Sequence, residues 1–168
     1  LQEGELIVFT EGRNRSKEET FATRNGQLEE MQVIALINEG SASASEIVTG
    51  ALQDNDRGLI IGRRSFGKGL VQEQIPMQDG SVIRLTTQRY YTPSGRCIQK
   101  DYGKNDKDYY LEQYTRNDTS TQQADSLTYT TKNGRTVYGG GGISPDITIE
   151  RDSTVNYLQI NKMVSKGW

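Results

Sequence analysis

The 168-residue chain contains no histidine. That absence removes the Ser-His-Asp and Cys-His arrangements and the commonest zinc ligand sets, so a nucleophile here must take its base from Lys, Asp, Glu or a main-chain amine. The single cysteine, Cys97, excludes an internal disulfide and a cysteine-rich metal site. No stretch approaches the roughly 20 apolar residues that span a bilayer, so no membrane contact is expected of this segment. A formal net charge of −2, with the basic residues scattered, leaves no electrostatic footprint for nucleic acid. No metal or cofactor signature is present. Serine paired with lysine is the economical chemistry left.

The pattern of elements reads as α/β. Residues 5 to 10, ELIVFT, predict a strand, and the polar stretch up to Glu30 carries a turn signal at Asn25-Gly26. MQVIALIN, residues 31 to 38, is a short continuous apolar run whose Val and Ile content predicts a strand buried on both faces. After Glu39-Gly40, apolar residues at Ala44, Ile47, Val48, Ala51 and Leu52 lay one stripe along a helix. GLIIG, residues 58 to 62, then completes a parallel β-α-β crossover. Further on, LVQEQIPM and SVIRLTTQRYYT predict a hairpin turning at Gln78-Asp79-Gly80. Residues 99 to 137 are polar and resemble a surface insertion with a short helix near Tyr109 to Tyr114; YGGGGISPDI returns to strand-like sequence before a last helix from Leu158.

Two stretches carry chemistry. The first, GRRSFGKG at residues 62 to 69, has the GxxxxGK spacing of a phosphate-binding loop. That reading fails twice: Gly69 stands where a magnesium-binding Ser or Thr is required, and the sequence beyond it alternates like a strand rather than opening a helix. On its own, SFGKG is a turn with a solvated lysine. The second, GSASASEI at residues 40 to 47, crowds three serines at a helix start. Ser43 with Glu46 three residues on forms a capping box, and the same position suits a nucleophile, because free N–H groups and the helix dipole there stabilise a developing oxyanion. A lysine serves as its base only when burial favours the neutral amine over the ammonium. Gly67 and Gly69 would let the loop carrying Lys68 fold close against the helix start.

Residues 38 to 72, NEGSASASEIVTGALQDNDRGLIIGRRSFGKGLVQ, resemble the signature core of the carboxy-terminal processing peptidases, also called tail-specific proteases. RYYTPSGR at 89 to 96 and GGGGISPDI at 139 to 147 are similar to further segments of that family. The resemblance implies a ClpP/crotonase-like α/β core and a serine-lysine endopeptidase with an acyl-enzyme intermediate. The family's serine-to-lysine interval of 25 residues, 68 − 25 = 43, selects Ser43 over Ser41 and Ser45. By resemblance Ser43 is the nucleophile, Lys68 the general base, Gln72 its orienting partner and the Ala44 N–H one oxyanion donor. It further implies protein or peptide substrates cut near C-terminal tails, an exported parent of the cell envelope or periplasm, and leaves an oligomer open.

Leu1 to Glu5 starts without a methionine or a signal-like run. The family's PDZ domain and the upstream glycine-rich strand-helix segment that gives a second oxyanion donor are not found in this sequence. The expectation is therefore that residues 1 to 168 are the C-terminal portion of a peptidase catalytic domain, and that this portion alone is weakly active or inactive. The alternative is a catalytically silent fragment or peptide-binding scaffold of the same fold.

Overall fold

Among the described residues the elements follow in the order β1 (Leu6–Gly12), β2 (Arg15–Phe21), β3 (Ile34–Ile37), α1 (Ala44–Asp54), β4 (Leu59–Gly62), β5 (Leu70–Pro76), β6 (Val82–Tyr91), β7 (Thr128–Thr130), β8 (Thr136–Tyr138) and β9 (Ile147–Thr148). They come from a computed structural model that describes residues 1–24, 26, 29–102, 109–110, 127–152, 163 and 166. The strands form an antiparallel sheet in the order β2-β1-β6-β5, a parallel sheet β3-β4-β9, and the separate pair β7-β8. Helix α1 joins the parallel neighbours β3 and β4, so the expected β-α-β unit is formed. Strand β5, not a helix, follows the Lys68 loop, and it pairs with β6 through the turn at residues 77 to 81.

The core lies where the two larger sheets meet the helix. Ile37, Ile60, Tyr90, Ile98 and Ile143 are buried together, with Val8, Ala35, Ile47, Leu52 and Val71 packed around them. Burying such side chains is worth about 1.5–3 kcal/mol each. The cluster therefore welds β3, β4 and β6 into one platform under the start of α1.

Three expectations need correction. The run at residues 31 to 38 is not buried on both faces: Leu36 is 77% exposed and Ile34 61%, because β3 is the edge of its sheet and only Ile37 turns fully into the core. The apolar stripe on α1 is only part of its buried face: Ile47, Ala51 and Leu52 turn inward. Ala44 and Val48 are exposed, whereas Glu46, Thr49, Gly50, Ala51, Gln53 and Asp54 are buried. The helix also turns polar residues inward because Ser94, Arg96, Ser144 and Asp146 meet it with hydrogen-bonding groups: Gln53 donates to Ser144 O and Asp146 Oδ1 at 2.9 Å each, and Asp54 accepts from Arg96 at 2.7 Å and from Ser94 N–H at 3.0 Å.

Third, the span 99 to 137 is not wholly surface. Gln99, Lys100, Thr131 and Val137 are buried, and the β7-β8 hairpin is stapled to the end of α1. Asp56 accepts from Arg135 Nε at 2.5 Å and from Thr131 Oγ1 at 3.1 Å, and Lys132 N–H donates to Asp54 O at 2.9 Å. The polar stretch after β1 contains the strand β2. The expected turn residue Asn25, most of the expected helix at 109 to 114 and nearly all of the one after Leu158 lie outside the described residues.

Candidate active site

Strand β3 delivers the chain to a tight turn. Ser41 N–H donates to Asn38 O at 2.9 Å, and Asn38 N–H donates back to Ser41 Oγ at 3.1 Å, so the Ser41 hydroxyl is absorbed in turn formation. Ser43 comes next at the N-cap of α1 with φ 54° and ψ −115°. A non-glycine residue in that region costs about 1–3 kcal/mol and survives only where its surroundings over-determine it. Of the three serines, Ser43 alone carries this strain.

Glu46 supplies the constraint. Its carboxylate is fully buried and accepts four hydrogen bonds, as many as its lone-pair sites hold. Oε2 takes the main-chain N–H of Ser43 and of Lys68, each at 2.9 Å. Oε1 takes Gly67 N–H at 2.7 Å and the Ser65 hydroxyl at 2.5 Å, and Ser65 Oγ in turn accepts Ile143 N–H at 2.6 Å. The S-x-x-E pattern signals the first of these bonds as half of a capping box. Its reach to a loop 22 residues further along was invisible in the sequence. One oxygen atom thus holds together the backbones of the two residues expected to do the chemistry.

The loop carrying Lys68 is laced on its other side as well. Gly69 N–H donates to Gln99 Oε1 at 2.9 Å, and Lys100 N–H to Gly67 O at 3.0 Å. Gly67 has φ +89°, and a Cβ there would stand 3.0–3.2 Å from Gly142 N, Gly141 C and Ile98 O. The glycines therefore let the loop press against residues 98–99 and 141–142, and Glu46, rather than glycine contact, ties it to the helix. Lys100 Nζ lies 4.0 Å from the Phe66 ring centroid and donates to Tyr109 O at 2.6 Å.

Ser43 and Lys68 are both half-buried. Among the described residues no hydrogen bond joins Ser43 Oγ to Lys68 Nζ, so the two are brought together through their main chains. Ala44, the first helical residue, is exposed, and its N–H has no intrahelical acceptor. Gln72 sits on β5 beside a register shift, exposed, with its amide 3.5 Å from Thr86 Oγ1; the structure does not bring it to Lys68. Among the described residues no group of three or more His, Cys, Asp and Glu could hold a metal.

The family model described as "Peptidase family S41" matches residues 1–110. The carboxy-terminal-processing protease of Bartonella bacilliformis is 55% identical over 100 residues, covering 59% of this chain and 23% of that protein. The chloroplastic carboxyl-terminal-processing peptidase 1 of Arabidopsis thaliana is 37% identical over 107 residues, covering 61% of this chain and 22% of that protein. Among solved structures, the photosystem II D1 C-terminal processing protease superposes with a TM-score of 0.60 at 28% identity, over 89% of this chain and 28% of that one. The chain spans less than a third of the length of each of these relatives.

Proposed function

The chain belongs to peptidase family S41, among the carboxy-terminal processing peptidases, and from that membership we propose that it carries the nucleophile and the base of a serine endopeptidase acting near the C-terminal tails of protein substrates. Ser43 Oγ attacks the scissile carbonyl carbon while Lys68 Nζ takes its proton. The tetrahedral oxyanion is met by the Ala44 N–H at the helix start. Collapse breaks the C–N bond and the leaving amine takes the proton from Lys68; the neutral Lys68 then deprotonates a water that hydrolyses the acyl-Ser43 ester, and returns that proton to Ser43 Oγ. Gln72, four residues past Lys68 on β5, orients the lysine when its amide turns from Thr86.

The observation that supports this reading most is the Glu46 carboxylate joining the main chains of Ser43 and Lys68 on a single oxygen. A hydroxyl left on a solvated turn would not need a strained backbone held by a buried charge. The protein's place in the cell envelope or periplasm belongs to the same proposal. Among the described residues no helix is long and apolar enough to cross a membrane.

The test is turnover of a tailed protein substrate by the intact protein bearing this sequence. Ser43→Ala and Lys68→Ala each lower kcat by about four orders of magnitude or more, the scale of other nucleophile and base deletions. Unchanged turnover in Ser43→Ala would overturn the assignment. A second reading, a silent scaffold, is favoured by the absence of a direct Ser43–Lys68 hydrogen bond among the described residues and by Gln72 bonding to Thr86. Resistance of Ser43 to a fluorophosphonate in the intact protein would decide for it.

A further inference from the structure

Tyr90 lies on β6, next to Arg89 in the strand that pairs with β5, and it is 2% exposed. Its ring belongs to the core cluster with Ile37, Ile60, Ile98 and Ile143, which accounts for an aromatic residue there. The hydroxyl needs a separate explanation. It donates to Ser43 O at 3.1 Å and to Lys68 O, sharing one proton between the carbonyls of the two residues assigned to the chemistry. The Tyr90 N–H also donates to Gly69 O at 3.0 Å, so ring and backbone both hold the same loop.

We propose that Tyr90 is a positioning residue of the Ser43–Lys68 pair, closing from the carbonyl side the clamp that Glu46 closes from the N–H side; this rests on the dyad assignment above. The direction of a Cα–Cβ bond is fixed once the peptide planes before and after it are fixed. Glu46 holds the plane before Ser43 and the plane before Lys68. Tyr90 holds the plane after each. Together they set where Oγ and Nζ start from and keep Ser43 at φ 54°. Burial, followed by the Glu46 charge, pushes the Tyr90 hydroxyl above its ordinary pKa, so it stays a donor at any working pH. A phenol that merely satisfied itself in the core could use any acceptor. This one addresses both residues of the pair and no other described group.

The test uses the intact protein and a tailed substrate. Tyr90→Phe keeps the ring and removes the donor; kcat falls about 10- to 100-fold with KM within twofold. Replacement of Tyr90 by 4-aminophenylalanine, whose amine can donate once to each carbonyl, returns kcat to within threefold of wild type. In a Lys68→Ala background Tyr90→Phe causes no further loss, because the two act as a unit. Thr131→Val, which removes a buried hydroxyl far from the pair, lowers Tm and leaves kcat unchanged.

Wild-type kcat in Tyr90→Phe, while Ser43→Ala and Lys68→Ala show their large losses, overturns the positioning role alone. A full additional loss in the Lys68→Ala background overturns it too, since a general packing role would add. A drop of more than tenfold in the 4-aminophenylalanine protein at unchanged Tm contradicts the donor argument even if the phenylalanine variant does not fold. Wild-type kcat in Ser43→Ala or Lys68→Ala removes the dyad and this proposal together.

Discussion

The two ends of helix α1 are both anchored by buried carboxylates, and they are anchored by different chemistry. At the C-terminal end Asp54 pairs with Arg96, both side chains fully buried, and Asp56 pairs with Arg135. Desolvation pulls the Arg96 guanidinium below its ordinary pKa and Asp54 pulls it back up. At the N-terminal end every donor to Glu46 is neutral: three main-chain N–H groups and one hydroxyl. An arginine there would hold the carboxylate as well, but on the proposed dyad it would place an extra cation beside the residue assigned as base. Neutral donors hold the two backbones without adding a cation there. Charge pairing holds the architecture at one end, and neutral pairing holds the Ser43 and Lys68 backbones at the other.

The largest effect should come from the charged end. Asp54→Ala leaves Arg96 buried without its ion partner, and a broken buried pair costs about 3–5 kcal/mol. The outcome expected in urea melts is a fall in midpoint large enough to leave much of the protein unfolded at room temperature. A loss under ~1 kcal/mol would mean that Gln53, Thr92 and the Tyr138 carbonyl satisfy Arg96 without it.

Glu46→Gln strikes the neutral end. The amide keeps the shape but turns an NH2 group toward two of the four donors, leaving them unpaired at about 1–3 kcal/mol each. Activity should fall at least 100-fold, and the loss in kcat should exceed what the fall in Tm explains. Equal damage to stability and none to kcat of the folded protein would erase the distinction between the two ends.

A smaller effect distinguishes the approach to the site. Glu39, in the turn between β3 and α1, is pushed up by burial, but hydrogen bonds from Arg63 and Arg151 outweigh this and hold its carboxyl at about 2, against an ordinary 4.5. The folded value lies below the unfolded one, so this stabilisation is complete above pH 4.5 and drains away as the pH falls toward 2. Tm should drop through that window, and Glu39→Gln should flatten the drop. The smallest effect belongs to the exposed pair Arg15–Glu73 at 3.1 Å, where Arg15→Ala should change stability by less than ~1 kcal/mol.

Local signals were readable where they were sufficient. The β3-α1-β4 unit and the β5-β6 hairpin follow from apolar runs, helical spacing and Asp79-Gly80. Strand β2 was not legible: RSKEETF is polar and exposed along its whole length, and it is a strand because β1 offers it an edge. The inward face of α1 was only partly legible for a related reason. Period identifies an apolar stripe, but Gln53, Asp54 and Glu46 are buried by partners 19 to 93 residues away, which no window on the helix contains. At the site, Ser43 and Lys68 were proposed from residue type and from the family resemblance, whereas the Glu46 bridge and the Tyr90 hydroxyl contact exist only in three dimensions.

The most direct measurement is mass-spectrometric mapping of fluorophosphonate labelling in the intact protein, its Ser43→Ala variant and its Lys68→Ala variant. The account predicts one modified serine, Ser43, in the wild-type protein and none in either variant. Labelling at Ser41 or Ser45, or undiminished labelling of Ser43 without Lys68, would contradict it.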